Sequence, residues 1–178
     1  MKQRMIEPTH GASGLTKWVL STVLAASLTF AATGSGAASC SVSVVSPLSF
    51  GSYDTINALP GSTVITVTCT RSGNKAEIVP ITIALSSGPG SYAARQMRLT
   101  TGPDLMLYNL YTTLARTQVW GDGTAGTAVV TNTINIPGPP GNPPQISTYT
   151  IFGLIGGNQN LSAGTYQTIS AITVTLTF

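Results

Sequence analysis

The chain has 178 residues, of which only 7% are charged, and a formal net charge of +3, whereas soluble chains ordinarily carry about 25% charged residues. Its surface must be covered by 18 serines, 27 threonines and 19 glycines, which excludes a charged disordered tail, a coiled coil and a charge-laced helical bundle. Past residue 39 the cations Arg71, Lys75, Arg95, Arg98 and Arg116 nearly balance Asp54, Glu77, Asp104 and Asp122, so no phosphate-tracking stripe and no nucleic-acid partner is expected.

The N-terminus is patterned as a targeting segment. Lys2, Arg4 and Lys17 precede an almost unbroken apolar run from Trp18 to Ala32, shorter than the roughly 20 residues that span a bilayer. Small residues follow, and Ala37-Ala38-Ser39 puts small side chains at the −3 and −1 positions of a cut before Cys40. We therefore expect residues 1–39 to be a secretory signal peptide and residues 40–178 to be one mature domain. A short uncleaved anchor and an acylated Cys40 are the alternatives.

An exported chain with two cysteines has one intramolecular pairing available, Cys40–Cys69. The sequence then runs as short alternating strands. Cys40, Val42 and Val44 share one face, and Ile65, Val67 and Cys69 share a face within 62–70. Ile81, Ile83 and Leu85 alternate with Thr82 and Ala84, and Leu105–Thr112 is apolar on both faces, as a central strand would be. Residues 129–136 and 148–152 give two more strands. The clearest is the last, in which Ile172, Val174, Leu176 and Phe178 alternate with Thr173, Thr175 and Thr177. Gly/Pro turns such as Ser87-Gly88-Pro89-Gly90 and Gly121-Asp122-Gly123 punctuate these runs, and 136–144 is a stiff Pro-rich loop. Together they predict an all-β, antiparallel β-sandwich.

Little in the sequence points to catalysis. His10 lies in the leader, so the mature chain has no histidine, and its four carboxylates are scattered among turns. General acid–base work calls for a histidine or a paired carboxylate, and metal sites for clusters of Cys, His or carboxylate. No phosphate-binding glycine loop is present. We expect no enzyme activity, no cofactor and no metal.

Several stretches, in order, resemble the spore coat protein U domain family and its relatives, the archaic chaperone–usher pilus subunits. They are Cys40, Phe50-Gly51-x-Tyr53-Asp54, Val67-Thr68-Cys69-Thr70, Arg95-x-Met97, Leu105-x-Leu107-Tyr108-x-Leu110-Tyr111, Arg116-Thr117-x-Val119-Trp120-Gly121-Asp122-Gly123-Thr124, Phe152-Gly153 and Ala163-Gly164-x-Tyr166-x-Thr168. Gln167, where the family often has Asp, and the Pro-rich loop are departures.

The resemblance implies an immunoglobulin-like sandwich that lacks one strand and keeps a hydrophobic groove open. A periplasmic chaperone fills the groove first, and the N-terminal extension of a neighbouring subunit fills it after assembly at an outer-membrane usher. Ile172, Val174, Leu176 and Phe178 are then expected on the core-facing side of the terminal strand, bordering the groove. The implied function is a surface pilus subunit, exported through the periplasm, that supports attachment and biofilm formation. A non-fibrous coat protein is the alternative. Only Thr33–Ser39 separates the apolar leader from Cys40, and it holds no large apolar side chain. It is too short and too polar to fill another subunit's groove, so we expect a tip subunit that accepts a strand and donates none.

Overall fold

A computed structural model describes residues 38–178, apart from Ser72 and residues 139–142. Most of the expected leader, and the middle of the Pro-rich loop, therefore lie outside the described residues. Nine strands run in chain order: β1 (Ala38–Val44), β2 (Leu59–Arg71), β3 (Glu77–Leu85), β4 (Arg95–Leu99), β5 (Leu105–Tyr111), β6 (Val130–Ile136), β7 (Gln145–Ile155), β8 (Tyr166–Gln167) and β9 (Val174–Thr177). They form a six-stranded sheet, β1-β2-β7-β5-β4-β8, and a three-stranded sheet, β6-β3-β9. All strand pairings are antiparallel, so the expected all-β sandwich is what forms.

The two-residue alternation decides which side chains face inward. On β2, Ile65, Val67 and Cys69 are fully buried, and on β3 Ile81, Ile83 and Leu85 are equally buried. These rows face each other and form the core with Ile151 and Ile155 of β7 and Ile134 and Ile136 of β6. Thr66 and Thr68 lie on the other face of β2, where hydroxyls can meet water. β5 is interior to its sheet, as expected. Its two faces differ more than its composition indicates: Met106, Tyr108 and Leu110 are buried, while Leu105 and Leu107 are 37% and 42% exposed. Where β7 ends, the Gln159 side chain continues the ladder. Its amide accepts from Leu107 N at 2.8 Å and donates to Leu107 O at 2.8 Å.

Cys40 and Cys69 sit directly opposite each other in the β1–β2 register, and a disulfide joins them across a Cα–Cα distance of 4.1 Å. The bond is therefore within one sheet, and it pins an edge strand to its neighbour.

The segment before β2 closes one end of the core. Gly61 and Gly153 face each other in the β2–β7 register, and the Phe50 ring covers both. A Cβ on Gly61 would lie 2.8 Å from that ring, and one on Gly153 would lie 2.7 Å from it. Both positions therefore need glycine for close approach rather than for backbone freedom. Phe50 then meets Tyr108 edge-on, with centroids 5.8 Å apart. This packing brings Phe50 of the first Phe-Gly pair onto Gly153 of the second.

The Trp-Gly-Asp-Gly-Thr run ties the two sheets together. Trp120 is 1% exposed. Its backbone N donates to Leu110 O in the large sheet at 2.9 Å, and its indole Nε1 donates to Ile83 O in the small sheet at 3.0 Å. Gly121 O accepts from Leu85 N at 3.0 Å. Beside it lies Arg95, 0% exposed. Its guanidinium donates to Asn109 Oδ1, to Ser86 O and to Trp120 O, at 2.5, 3.0 and 2.7 Å, and stacks over Tyr92 at 5.5 Å. Burial lowers the Arg95 pKa from its ordinary value, with Tyr108, Tyr92 and Tyr111 acting in the opposite direction.

Candidate functional site

One flank of the sandwich is left open. β1 ends the large sheet and β9 ends the small one, and the two edge strands come into contact on the same side of the molecule. Among the described residues each pairs on one side only: β1 with β2, and β9 with β3 through Thr82↔Thr177 to Leu85↔Val174. The small sheet has half as many strands as the large one, so beyond β9 nothing in it continues across the inner face of the large sheet.

An apolar cavity of about 260 Å³ lies there. Its floor is the core itself, reached at Met97, Tyr108, Leu110 and Ile151 of the large sheet. Leu85, Ile172 and Val174 form the small-sheet wall, and Val44, Pro47, Leu48 and Phe50 form the opposite wall. A second cleft, of about 650 Å³, shares Leu48, Phe50 and Met97 with it and runs on between the 51–55 loop and residues 163–166. Val44 has the alternation of a core residue yet is 51% exposed, and Val45 beside it is 67% exposed. Val44 faces the open cavity instead of a partner.

Of the residues expected along the groove, Ile172 and Val174 line the cavity. Leu176 is half-buried against the core, opposite Ile83, without lining it. Phe178 departs from the expected core-facing row: it lies past the end of β9 and is 54% exposed. The opposite wall and the floor were not anticipated. Leu48 and Phe50 carried a usable signal, because they alternate in a segment that forms no strand and lie over glycines of two others.

Three of the mature carboxylates are occupied in loop closure. Asp54 accepts from Asn57 Nδ2 and from the backbone N of Asn57 and Ile56, Asp104 from Ser162 N, and Asp122 from Thr124 N and Oγ1. Hydrogen bonds lower all three pKa values below the ordinary carboxylate range: from the Asn57 side chain at Asp54, from Ser162 at Asp104 and from Thr124 at Asp122. Among the described residues, no three or more His, Cys, Asp or Glu side chains gather where a metal could sit.

These carboxylate shifts set a pH dependence. A carboxylate with a depressed folded pKa stabilises its loop above the unfolded value, and the contribution disappears as pH falls through the folded value. The protection factors of the Ile56, Asn57 and Thr124 amides, taken relative to intrinsic exchange at each pH, are therefore expected to hold from neutral pH down to about pH 4, the unperturbed Asp range, and to fall below it. Protection factors that already fall between pH 7 and 5 would contradict the assignment.

The architecture is that of an antiparallel two-sheet sandwich in which, among the described residues, the edge strands β1 and β9 are each paired on one side only. The chain belongs to the Spore Coat Protein U domain family, whose model matches residues 26–175. A search of solved structures finds similarity to a chain of the CsuC–CsuE chaperone–tip adhesion subunit pre-assembly complex, from the archaic chaperone–usher Csu pili of Acinetobacter baumannii. The TM-score is 0.50 and the identity 21%, covering 80% of this chain and 40% of that one. At that identity the likeness bears on the fold. This chain spans about two fifths of its neighbour's length. No curated protein sequence matches the chain.

Proposed function

We propose that this chain is an exported subunit of a chaperone–usher surface pilus whose open flank accepts a strand from a partner. The observation that carries this is the apolar cavity floored by core residues and opening beside the unpaired edge of β9. An added strand pairs its backbone with that edge and drops alternate side chains into the cavity. Left empty, the same flank is an unpaired edge beside apolar surface, an aggregation hazard that calls for a chaperone. In this reading a periplasmic chaperone occupies the flank first and a neighbouring subunit later, at an outer-membrane usher.

The finer reading is a tip subunit that takes a strand and donates none, active in attachment and biofilm formation. The disulfide supports it, because β1 is covalently held in its own sheet and is not available to a neighbour. The family's name keeps a second reading in view, a coat protein that forms no fibre. Immunogold labelling separates them: label at fibre ends fits the tip subunit, label along the shaft defeats the tip placement, and surface label without fibres favours the coat.

The groove itself is tested by Val174→Asp against Thr175→Asp. Val174 lines the cavity and Thr175 lies on the exposed face of β9. A charge that must be buried under an inserted strand costs several kcal/mol. Val174→Asp is expected to lose co-purification with a pilus chaperone while Thr175→Asp keeps it. Equal recovery of both would overturn the groove.

A further inference from the structure

We infer that Pro80 selects where a strand can join this flank: it denies an incoming strand the free stretch of the β3 edge and leaves β9 as the place of entry. The inference deepens the strand-acceptance reading above and rests on it for what enters, an extended segment of a second chain.

The place of the proline is the first observation. β3 is the middle strand of the small sheet, where a proline is ordinarily excluded because it cannot donate to the ladder. Here it breaks no bond. Successive residues of a strand turn their N–H and C=O to opposite edges. Leu85 N donates to Gly121 O, which lies on the β6 side through the bond from Gly121 N to Ala128 O. Ser86 N donates the other way, to Thr173 O at 3.0 Å. Ala84, Thr82, Pro80 and Ile78 therefore face the β9 side with Ser86. β6 agrees: Thr133, opposite Pro80, turns its N–H away from β3, to Asn132 Oδ1 at 2.8 Å.

The free stretch is the second observation. β6 pairs with β3 from Glu77 to Ile83, but β9 pairs with it only from Thr82 to Leu85. Among the described residues, the β9 side of β3 from Glu77 to Ile81 therefore has no strand beside it, and Ile78 there is 72% exposed. The residues that turn their backbone to this stretch are Ile78 and Pro80. Any other residue at 80 would give a passing strand a second N–H in line with that of Ile78, whereas proline breaks the row. Edge prolines guard against stray pairing in this way. The free side of β9 carries no such guard. By the same alternation Val174 and Leu176 turn their N–H and C=O outward there, and no proline stands between Ile172 and Phe178. The apolar cavity opens beside Val174. A strand entering beside β9 finds an intact ladder and a place for its side chains, and one approaching Ile78 and Pro80 finds an interrupted ladder.

The full chain, 1–178, is expressed in a Gram-negative host, and the purified product is followed by light scattering over a concentration series, a second copy serving as the probe strand. Pro80→Thr is expected to self-associate at a several-fold lower concentration than the wild type. Adding Ile78→Pro to that variant interrupts the row again and is expected to restore wild-type behaviour. Adding Ile78→Thr instead removes the same apolar side chain but keeps the N–H, and is expected to leave the association in place. A Pro80→Thr chain that associates no more readily than the wild type, or that both additions relieve equally, overturns the inference. Amide exchange of the wild type tests the geometry without any variant. Ile78 is expected to exchange fast and Val79 and Ile81 slowly, and a protected Ile78 amide overturns the free stretch. The Val174→Asp result bears on the groove alone, so the two readings fail separately.

Discussion

Arg95→Met is expected to lower the unfolding free energy by about 2–6 kcal/mol, the cost of leaving two acceptors without a donor at about 1–3 kcal/mol each. Methionine keeps an unbranched apolar stem of similar reach, so little of the loss comes from packing. What disappears is the donor set that serves Ser86 O, Trp120 O and Asn109 Oδ1. Ser86 O and Trp120 O lose their side-chain donor, at about 1–3 kcal/mol each, whereas Asn109 Oδ1 still accepts from Leu110 N at 2.9 Å. Because these acceptors sit on three separate stretches of chain, the loss also loosens the Trp120 strut between the sheets. Arg95→Lys is expected to recover only part, since one ammonium cannot reproduce the planar fork. Urea unfolding followed by tryptophan fluorescence measures both. A loss below about 1 kcal/mol for Arg95→Met, the net value of one ordinary hydrogen bond, would show that the network is incidental to stability.

The second large effect is expected at the disulfide. Replacing Cys40 and Cys69 together by alanine should cost about 3–4 kcal/mol, from the chain entropy regained by a loop with a sequence separation of 29. The loss should be uneven. β2 also pairs with β7 along its length, whereas β1 has only β2. Amide exchange should therefore become fast throughout β1 while Ile65 and Val67 stay protected. Uniform loss of protection across both strands would mean that the bond supports the whole sandwich rather than its edge. Free-thiol labelling of the denatured, unreduced protein should find none.

Much of the fold was legible because alternation survives wherever the inward row is apolar. Ile65-Val67-Cys69 and Ile81-Ile83-Leu85 announced β2 and β3 in this way. β4 was missed because its inward row begins with Arg95, a charge that reads as surface until the acceptors around it are known. β8 has only two residues, too few for any period. The terminal alternation of Ile172, Val174, Leu176 and Phe178 was clear, but it exceeded the strand: β9 pairs only over Val174–Thr177, and Phe178 beyond it is exposed. Half of the groove was legible for a related reason. A terminal apolar row marks one wall, but the floor at Met97, Tyr108 and Leu110 consists of residues that look like ordinary core. Only the mismatch between a six-stranded and a three-stranded sheet uncovers them.

The β2–β7 ladder has a consequence for how the molecule comes to be folded. Its partners, Leu59 with Ile155 through Cys69 with Gln145, are separated in the chain by four other strands. Closing so long a loop is slow, and nothing rewards it until the ladder forms. The β1–β2 pair, by contrast, joins segments close in sequence and can be locked by its disulfide early. A chain emerging N-terminus first thus holds a covalently fixed two-stranded template whose free β2 edge waits through the synthesis of β3 to β6 for β7. The interval of greatest vulnerability to misassociation is set by the order of the strands, and it ends only when residue 155 is out.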